Sequence, residues 1–388
     1  MPAKPIKVLF LPKWYPDRND PQNGVFIRKH AQAVSGYCDV KVLRVSRDLN
    51  LSSKYEIEKG DLSPEELFSY YRPNTSKIKW LRKITNFIKY YKAFNKGWRV
   101  FKQKGWEPDI IHVHVMVRPG LIAYLKNWPI SKPYLISEHS SEYLNGRFAA
   151  HNGFFKALNF RIFWKAKAVT AVSQHLANGM KALGLPGNIR VIPNVIDMPE
   201  IRSNEIHARI RVMTVADLVD DIKNISGIIR AVGALMNEGS DIEYHIVGGG
   251  PDIDELKELA EKECPEGRVT FYGRVDNETA LDKISSADVV VINSRVETFA
   301  LVVAEAIAMG KPVIATRCGG PEMFVNEETG ILVDVDDELQ LKDAIQIVLG
   351  TLDSYEPVKM RASLGERYSR KAIGEQFFGI YREIMSNN

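Results

Sequence analysis

ADVVVINSRVETFALVVAEAIAMGKPVIATRCGG, residues 287–320, contains the pattern that decides the fold. The β-branched run that ends near Ser294 predicts a buried strand, and the apolar stretch from about Phe299 to Met309 predicts a helix. Gly310 is placed to stop that helix, and Pro312 prevents its continuation. A further β-branched run follows at once. A strand, a helix and a strand in this order indicate a parallel β-α-β unit.

The same unit recurs along both halves of the chain. The β-branched runs lie at 6–12, 39–45, 109–116, 133–139, 168–173 and 189–194, and then at 210–217, 243–250, 268–275, 287–294, 311–320 and 330–335. Two sets of about six strands alternating with helices predict an α/β protein with two tandem doubly wound, Rossmann-like domains. Such sheets bind ligands at the carboxyl ends of their strands, so we expect a site in a cleft that the two domains face.

Composition limits the class of protein. The chain has 388 residues, 45% of them hydrophobic, which suits two globular domains. Its longest apolar runs are well short of the roughly 18 residues that a membrane span needs, and its first residues do not resemble a signal peptide. Its three cysteines are scattered, so we expect neither a disulfide framework nor a zinc site: Cys38, Cys264 and Cys318. These features favour a cytoplasmic protein.

The overall charge of +4 conceals a division between the halves. Residues 1–200 hold 32 Lys and Arg against 15 Asp and Glu, whereas the remainder holds 20 against 33. One interpretation is a chance imbalance between two solvated faces. The other is two domains with different tasks, of which the basic one meets an anionic partner.

Glu297 and Glu305 lie eight positions apart in an otherwise apolar segment. Buried carboxylates are costly unless a partner offsets their charge. The predicted helix start leaves backbone N–H groups unpaired at its positive end, which suits a diphosphate. Glu297 precedes that start, and Glu305 leans back toward it, where a ribose diol could donate to its carboxylate.

The segment 297–333 resembles the E-x7-E donor-binding region of the family 4 retaining glycosyltransferases, which have the GT-B fold. Further motifs of that family follow in its usual order: NGVFIRKHAQAV, DIIHVHVMVRPGL, PYLISEHSSEY, AVTAVS, VIPNVID, VADLVDDIKN and IVGGGPD. The resemblance covers most of the chain. It implies an acceptor-binding domain at 1–200, a donor-binding domain at 205–369, a seam near 197–209, and a last helix, 370–388, that packs back on the first domain.

The resemblance implies retaining transfer from a nucleoside-diphosphate sugar to an acceptor hydroxyl, in surface polysaccharide or glycolipid synthesis. Glu297 would hold donor sugar hydroxyls, Glu305 the ribose, and Lys223 the diphosphate. The family usually has Arg where this chain has Asp217, so one expected cation is missing. No cofactor is implied, and we expect activity without a metal.

Other donor-binding residues are implied by position. Phe299, Ala300 and Leu301 would offer backbone at the helix start, with Ala300 in place of the more usual Gly and therefore expected to have a negative φ. Gly248 is interpreted as a turn that approaches the donor. Gly24 permits close backbone approach, and its N–H would reach the donor phosphate from the other domain.

On the acceptor side, His139 matches the catalytic-site histidine of the family, and would donate to a sugar hydroxyl or help to handle the acceptor proton. His112 and His114 share one strand face, but two histidines without a third ligand nearby are too few for a metal. We expect a core role for His112. The remaining strand-end candidates for the acceptor side are His114, Arg118, Ser173 and Asn194.

Residues 72–106 contain no acid, but eleven Lys and Arg interleaved with eight aromatic residues. Three interpretations stay open: peripheral docking on an anionic membrane surface, contact with an anionic soluble acceptor, and a plain solvated face. No nucleic-acid recognition motif is present, so we expect no nucleic-acid partner. The acceptor is expected to be a saccharide or a lipid-linked saccharide.

Two rival functions share the predicted architecture. A nucleotide-sugar 2-epimerase would change its sugar with no acceptor present. A non-catalytic, membrane-docked saccharide-assembly protein would bind the donor without turnover, with Asp217 as a sign of decay. Neither the base nor the sugar of the donor can be inferred from the sequence.

Overall fold

The computed structural model describes residues 5–127, 132–201 and 208–387. Contacts divide the chain into two compact units: Met1–Val195 with Ser369–Asn388, and Ile196–Tyr368. Residues 202–207 of the predicted seam lie outside the described residues. Each unit is built on a largely parallel sheet with helices, as the alternating pattern predicted.

The first unit contains an eight-stranded sheet of order β3-β4-β2-β1-β5-β6-β7-β8. Its strands are β1 (Lys7–Pro12), β2 (Asp39–Arg47), β3 (Tyr55–Lys59), β4 (Glu65–Tyr71), β5 (Ile110–His114), β6 (Tyr134–Glu138), β7 (Ala168–Ala171) and β8 (Ile189–Val191). All neighbouring pairs are parallel except β3 and β4, which are antiparallel. The central strands are buried along their whole length because helices cover a doubly wound sheet on both faces.

The second unit contains a six-stranded parallel sheet of order β11-β10-β9-β12-β13-β14. Its strands are β9 (Ile210–Val215), β10 (Ile242–Val247), β11 (Val269–Gly273), β12 (Val289–Ile292), β13 (Val313–Thr316) and β14 (Gly330–Val333). Counted from its first strand, this is the order 3-2-1-4-5-6 of dinucleotide-binding domains.

The helices connect these strands. They are α1 (Val25–Ser35), α2 (Lys79–Gln103), α3 (Pro119–Asn127), α4 (Gly153–Lys165), α5 (Gln174–Ala182), α6 (Asp220–Lys223), α7 (Ile225–Asn237), α8 (Ile253–Glu263), α9 (Asn277–Ser285), α10 (Leu301–Ala308), α11 (Glu338–Gly350), α12 (Pro357–Leu364) and α13 (Arg370–Ser386). None of the helices in the described part of the chain combines the length and the apolar character that crossing a bilayer requires.

The strand order fixes where each sheet can bind a ligand. In the first unit the order in which successive strands are added to the sheet reverses between β1 and β5, and in the second it reverses between β9 and β12. The loops at the carboxyl ends of such a strand pair diverge and leave a crevice. Candidate residues therefore belong after Pro12 and His114 in the first unit, and after Val215 and Ile292 in the second.

Helix α13 belongs to the core of the first unit. Phe377 and Tyr381 are fully buried in the same apolar cluster as Val8 and Phe10 of β1. At Gly374 an added Cβ would lie 2.4 Å from the carbonyl oxygen of Ala33, so only glycine permits α13 to approach α1 this closely.

Candidate functional site

At the switch point of the second sheet, the ammonium of Lys223 forms an ion pair with the carboxylate of Glu297. The Ser294 hydroxyl also donates to Glu297, with an Oγ to Oε1 distance of 2.8 Å. The sequence predicted that both charged groups face a donor. The structure brings these two side chains together and pairs them with each other.

Local structure fixes the position of Lys223. It is the last residue of the single-turn helix α6, which ends at Asn224 in the left-handed region (φ 47°). Arg295, just after β12, donates its backbone N–H to the Ile222 carbonyl (2.7 Å) and its guanidinium to the Asp220 carbonyl (2.8 Å). These bonds tie α6 to the end of β12, where Glu297 follows.

The Lys223 side chain is partly buried, with 23% of its surface exposed, and burial by itself disfavours its charge. The adjacent Glu297 carboxylate, and more weakly Asp217, outweigh that penalty, so the pKa of Lys223 is raised above its ordinary value. The lysine therefore stays cationic at neutral pH, as a contact with a diphosphate requires.

Helix α10 begins at Leu301, two residues later than predicted, and Ala300 precedes it with φ 60°. The expectation of a negative φ at Ala300 is therefore wrong. An alanine in this conformation costs about 1 kcal/mol or more, so packing must impose it. Gly320 is part of that packing, because an added Cβ there would lie 2.8 Å from the carbonyl carbon of Phe299. The backbone N–H groups at the start of α10 remain without intrahelical acceptors.

Glu305 and Phe299 lie on either side of that helix start. Glu305 is in the second turn of α10 and only 5% exposed. Phe299 is 2% exposed and packs edge-on against Phe324 and Tyr368, with ring centroids 5.2 and 6.2 Å apart. Phe299 therefore anchors the loop that carries Glu297.

Arg274 is a cation at this end of the sheet that sequence reasoning missed. It follows β11, and its guanidinium lies 3.0 Å from the carboxylate of Asp217. Asp217, where the family usually has Arg, is thus accompanied by a positive charge from a neighbouring strand end. The arginine after Gly273 was visible in the sequence, but its distance from Asp217 was not.

Gly248 and Gly24 are required by the backbone around them. Gly248 has φ 140°, and an added Cβ would lie 1.8 Å from the Ala216 carbonyl oxygen. Gly24 has φ 72° and precedes α1, with an added Cβ 2.6 Å from the carbonyl carbon of Trp14. The close approach predicted at Gly24 is thus to the chain's own Trp14. A contact of its N–H with a phosphate stays a prediction.

In the first unit, histidines from three elements meet beside β5. One ring nitrogen from each of His30, His114 and His139 lies within 4.8 Å of the other two, and all three residues are buried. The expectation that no third histidine lies near His114 is therefore wrong. His30 comes from α1, more than 80 residues earlier, and this separation hid the cluster from the sequence.

Hydrogen bonds define part of that cluster. His30 Nε2 donates to the Pro193 carbonyl (3.2 Å), and His114 Nδ1 contacts His139 Nε2 (3.2 Å). The second ring nitrogens of these three histidines have no partner among the described residues. His112 differs, because both of its nitrogens contact hydroxyls, those of Tyr381 and Ser137, at 2.7 Å.

Burial, and then the neighbouring His30, hold the pKa of His139 well below its ordinary value. The ring is therefore neutral at physiological pH. A neutral imidazole can exchange a hydrogen bond with a sugar hydroxyl, but its low pKa makes it a weak base. This favours the hydroxyl-binding role over the proton-handling role.

Three other acceptor-side candidates have different surroundings. Ser173 is fully buried and caps α5, accepting from the Leu176 N–H (3.0 Å). Asn194 is buried, and its Oδ1 has no partner in the part of the chain described. Arg118 is exposed and donates to the Tyr71 hydroxyl (3.3 Å). Only Arg118 lines a cavity of about 500 Å³ at the switch point of the first sheet.

The buried carboxyl of Glu138, next to His139, should make the free energy of unfolding depend on pH. This carboxyl accepts from the Met116 N–H (2.8 Å) and the Tyr143 hydroxyl (3.1 Å), and burial raises its pKa to about 7. Because the folded state holds this proton more tightly than the unfolded state, stability should fall as pH rises from about 4.5 to 7. The loss should approach 3 kcal/mol, since one pKa unit corresponds to about 1.4 kcal/mol.

The test compares wild type with Glu138→Gln in urea. Relative to wild type, the variant should gain about 3 kcal/mol between pH 4.5 and pH 8. All six tryptophans precede residue 165, so their fluorescence follows the first unit. A difference between the two proteins that stays constant across this pH range would contradict the prediction.

Comparison with known proteins identifies the family. The sequence-family model described as "Glycosyl transferases group 1" matches residues 197–367, and the one described as "Glycosyltransferase Family 4" matches residues 55–199. The chain is similar to the N-acetyl-alpha-D-glucosaminyl L-malate synthase of Bacillus anthracis. The two are 29% identical over 296 residues, which cover 72% of this chain and 76% of the synthase.

Solved structures show the same fold. Sucrose-phosphate synthase from Thermosynechococcus elongatus has a TM-score of 0.79 and 20% identity, over 98% of this chain and 100% of that one. HepE from Anabaena, solved with UDP and glucose, has a TM-score of 0.71 and 16% identity, over 99% and 100%. These findings confirm the fold class and the resemblance that the motifs indicated. The chain belongs to glycosyltransferase family 4 and is a glycosyltransferase of the GT-B type.

Proposed function

We propose that the protein transfers a sugar from a nucleoside-diphosphate sugar to an acceptor hydroxyl with retention of anomeric configuration, in surface polysaccharide or glycolipid synthesis. One observation carries this proposal. At the switch point of the second sheet, the partly buried Lys223 is paired with the carboxylate of Glu297, and helix α10 begins four residues after Glu297. Their chemistry suits a diphosphate joined to a polyol. The similar HepE was solved with UDP and glucose.

The donor would replace the internal ion pair. Without donor, Lys223 and Glu297 neutralise each other. With donor, the diphosphate would take the Lys223 ammonium and the free N–H groups of α10, and sugar hydroxyls would take Glu297. Glu305, buried in the second turn of α10, would accept from the ribose hydroxyls. Arg274 would offset Asp217 on the same side of the sheet.

Catalysis would come mainly from stabilising the leaving diphosphate, on which negative charge develops. Lys223 is positioned for this task because it is cationic and held by α6. We propose that the acceptor attacks from the face that the diphosphate leaves, and that the departing phosphate takes the acceptor proton. His139, neutral and buried, would bind a sugar hydroxyl.

We further propose that transfer needs no metal. The roles above assign the diphosphate charge to Lys223 and to backbone amides, so no step requires a cation from solution. The cluster of His30, His114 and His139 makes this proposal worth testing directly, because three neutral imidazoles are ligands that zinc accepts. Activity after EDTA treatment, with metal analysis of the purified protein, decides it.

The experiment that tests the function starts with a donor panel. Thermal shifts with UDP-, GDP-, ADP- and dTDP-sugars would identify the base, and release of nucleoside diphosphate with an acceptor would then be measured. Glu305→Ala should abolish transfer, whereas Glu261→Ala, an exposed change on α8, should not. If EDTA stops turnover and Mn²⁺ restores it, only the proposal of metal independence is refuted, and the proposed transfer reaction stands.

The rivals predict other outcomes. An epimerase would convert the donor sugar with no acceptor present, while a transferase would at most hydrolyse it slowly. A scaffold would bind donor with no turnover under any condition. Either result would replace the proposed function.

Peripheral membrane docking through α2 is a second proposal, favoured by one observation. Trp80, Ile84 and Ile88 are four residues apart and 67%, 52% and 46% exposed, so they form an apolar stripe on the outer face. Arg82 and Lys83 are exposed beside it. An apolar stripe flanked by cations is typical of helices that lie on an anionic leaflet.

Vesicle sedimentation checks this proposal. Wild-type protein should bind vesicles that contain anionic lipid more strongly than neutral ones, and Trp80→Ser with Ile84→Ser should weaken that binding about tenfold or more, since roughly 1.5 kcal/mol or more accompanies each apolar side chain that leaves a lipid phase. Phe154→Ser, which removes an exposed aromatic from α4, is the matched control. Equal binding to both kinds of vesicle would end the proposal.

A further inference from the structure

The first unit has a cavity of about 500 Å³ at its own switch point, where β1 and β5 end. Lys13 and Trp14 follow β1, Arg47 ends β2, and Arg118 follows β5, and all four line the cavity. Three consecutive strands of the sheet thus direct one cation each into the same space. The arrangement is a property of the strand order, which places these three ends side by side.

The cavity is lined by more cations than acids, namely Lys13, Arg44, Arg47 and Arg118 against Asp17 and Asp20. Arg44 is paired with Asp17, at 3.1 Å. Lys13, Arg47 and Arg118, by contrast, have no carboxylate within ion-pairing distance in the described ranges of the chain. An excess of unpaired positive charge in a concave site attracts anions.

A buried hydroxyl adds a second, independent sign of a ligand. Tyr90, from α2, lines the cavity and is 3% exposed, yet its hydroxyl has no hydrogen-bond partner within the described residues. Buried polar groups are normally paired, so an unpaired one facing a cavity indicates that a bound molecule completes it. The Tyr71 hydroxyl lies nearby and accepts from Arg118 (3.3 Å).

The backbone holds Arg118 in place at a cost. Val115 and Arg118 have φ values of 62° and 69°, which residues other than glycine rarely adopt. Backbone strain of this kind is unfavourable and is found mainly at functional sites. The loop between β5 and α3 therefore directs Arg118 into the cavity instead of relaxing.

A second cavity of about 640 Å³ shares Asn19, Arg47 and Arg118 with the first. It adds Arg82 and Lys83 from α2. Arg47 and Arg118 thus stand between two basic cavities, and a ligand held by them has room to extend in either direction.

We infer that the cavity at the ends of β1, β2 and β5 binds a carboxylate or phosphate group of the acceptor, so that the acceptor carries its own negative charge. The identification of this anion as part of the acceptor rests on the proposed function, whereas anion binding itself does not. Arg47, Arg118 and Lys13 would contact the anionic group, and the Tyr90 hydroxyl would donate to it or to a neighbouring oxygen.

Calorimetry without any donor tests the inference. The probes are glucose 6-phosphate against glucose, and L-malate and inorganic phosphate as free anions. Glucose 6-phosphate should bind at least about tenfold more tightly than glucose, because charge-assisted hydrogen bonds are stronger than neutral ones. At least one of the two free anions should compete with it.

Variants assign the site. Arg118→Gln and Arg47→Gln should each weaken anion binding about tenfold or more, and Tyr90→Phe severalfold. Arg147→Gln removes an exposed charge of the same unit away from the cavity and should change binding less than twofold. Melting temperatures of all variants show whether each is folded. Because Arg47 is exposed, Arg47→Gln should have little effect on folding.

The outcomes separate the two proposals. Equal affinity for glucose and glucose 6-phosphate, or anion binding that Arg118→Gln and Arg47→Gln leave unchanged, would overturn the inference. Binding of anionic lipid vesicles with no binding of the soluble anions would overturn it too, and would assign the charges to a membrane. Anion binding without turnover of any nucleotide sugar would refute the proposed function and leave the anion site intact.

Discussion

Replacing Lys223 with methionine is expected to lower kcat for sugar transfer by about 10²- to 10³-fold, the loss that follows removal of one preorganised group from a developing anion. Lys223 is a partly buried cation paired with Glu297, whose carboxylate would bind hydroxyls of the donor sugar. Methionine keeps much of the length and apolar character of the stem but cannot neutralise the leaving diphosphate.

The measurement is steady-state release of nucleoside diphosphate over a range of donor concentrations. Lys257→Met, which removes an exposed lysine from α8, is the matched control and should keep kcat within about twofold of wild type. Lys223→Arg, which keeps the charge, should retain more activity than Lys223→Met. If the methionine variant keeps full kcat and its normal melting temperature, Lys223 is only a structural partner of Glu297.

Replacing Gly248 with alanine is expected to destabilise the second unit by more than about 3 kcal/mol, well beyond the usual effect of a point mutation. The new Cβ would lie 1.8 Å from the Ala216 carbonyl oxygen, and φ there is 140°. Both atoms belong to backbone at neighbouring strand ends, so neither can move without shifting β9 or β10.

Gly273→Ala is the matched control, because its backbone is also left-handed (φ 70°) but no atom lies within 4 Å of the added Cβ. It should cost only about 1 kcal/mol, the price of the backbone conformation. Urea unfolding followed by circular dichroism reports both units, whereas tryptophan fluorescence reports the first unit alone. Equal effects of the two substitutions would show that the contact with Ala216 does not limit stability.

The sequence predicted those parts of the fold that local pattern determines. Twelve strands were located because near-continuous β-branched runs such as VVVI (289–292) have one stable environment, a covered parallel sheet. β3 and β4 were missed, because YEIEK and EELFSYY carry acids at sites that look exposed. The structure satisfies the most buried of those acids, Glu66, with Arg28 and the Tyr15 hydroxyl, which are distant along the chain.

The candidate site was predictable only one residue at a time. Lys223 and Glu297 were each assigned to a strand end, but their pairing depends on α6 and β12 meeting. His30, Arg274 and Tyr90 were not singled out, because each acquires its significance from neighbours 57 or more positions away or from a cavity that spans several strands. The sign of φ at Ala300 was misjudged because a helix start was assumed to include it.

The place of α13 has a consequence for how the chain is made. Ile373, Phe377 and Tyr381 belong to an apolar cluster that also includes residues of β1, β2 and α1. The first unit therefore cannot close its core until residues 370–386 have emerged from the ribosome, after the whole second unit has been translated. During synthesis we expect the second unit to fold first, while the first unit remains incomplete with part of its apolar surface exposed. Chaperone binding to the nascent protein would measure this exposure.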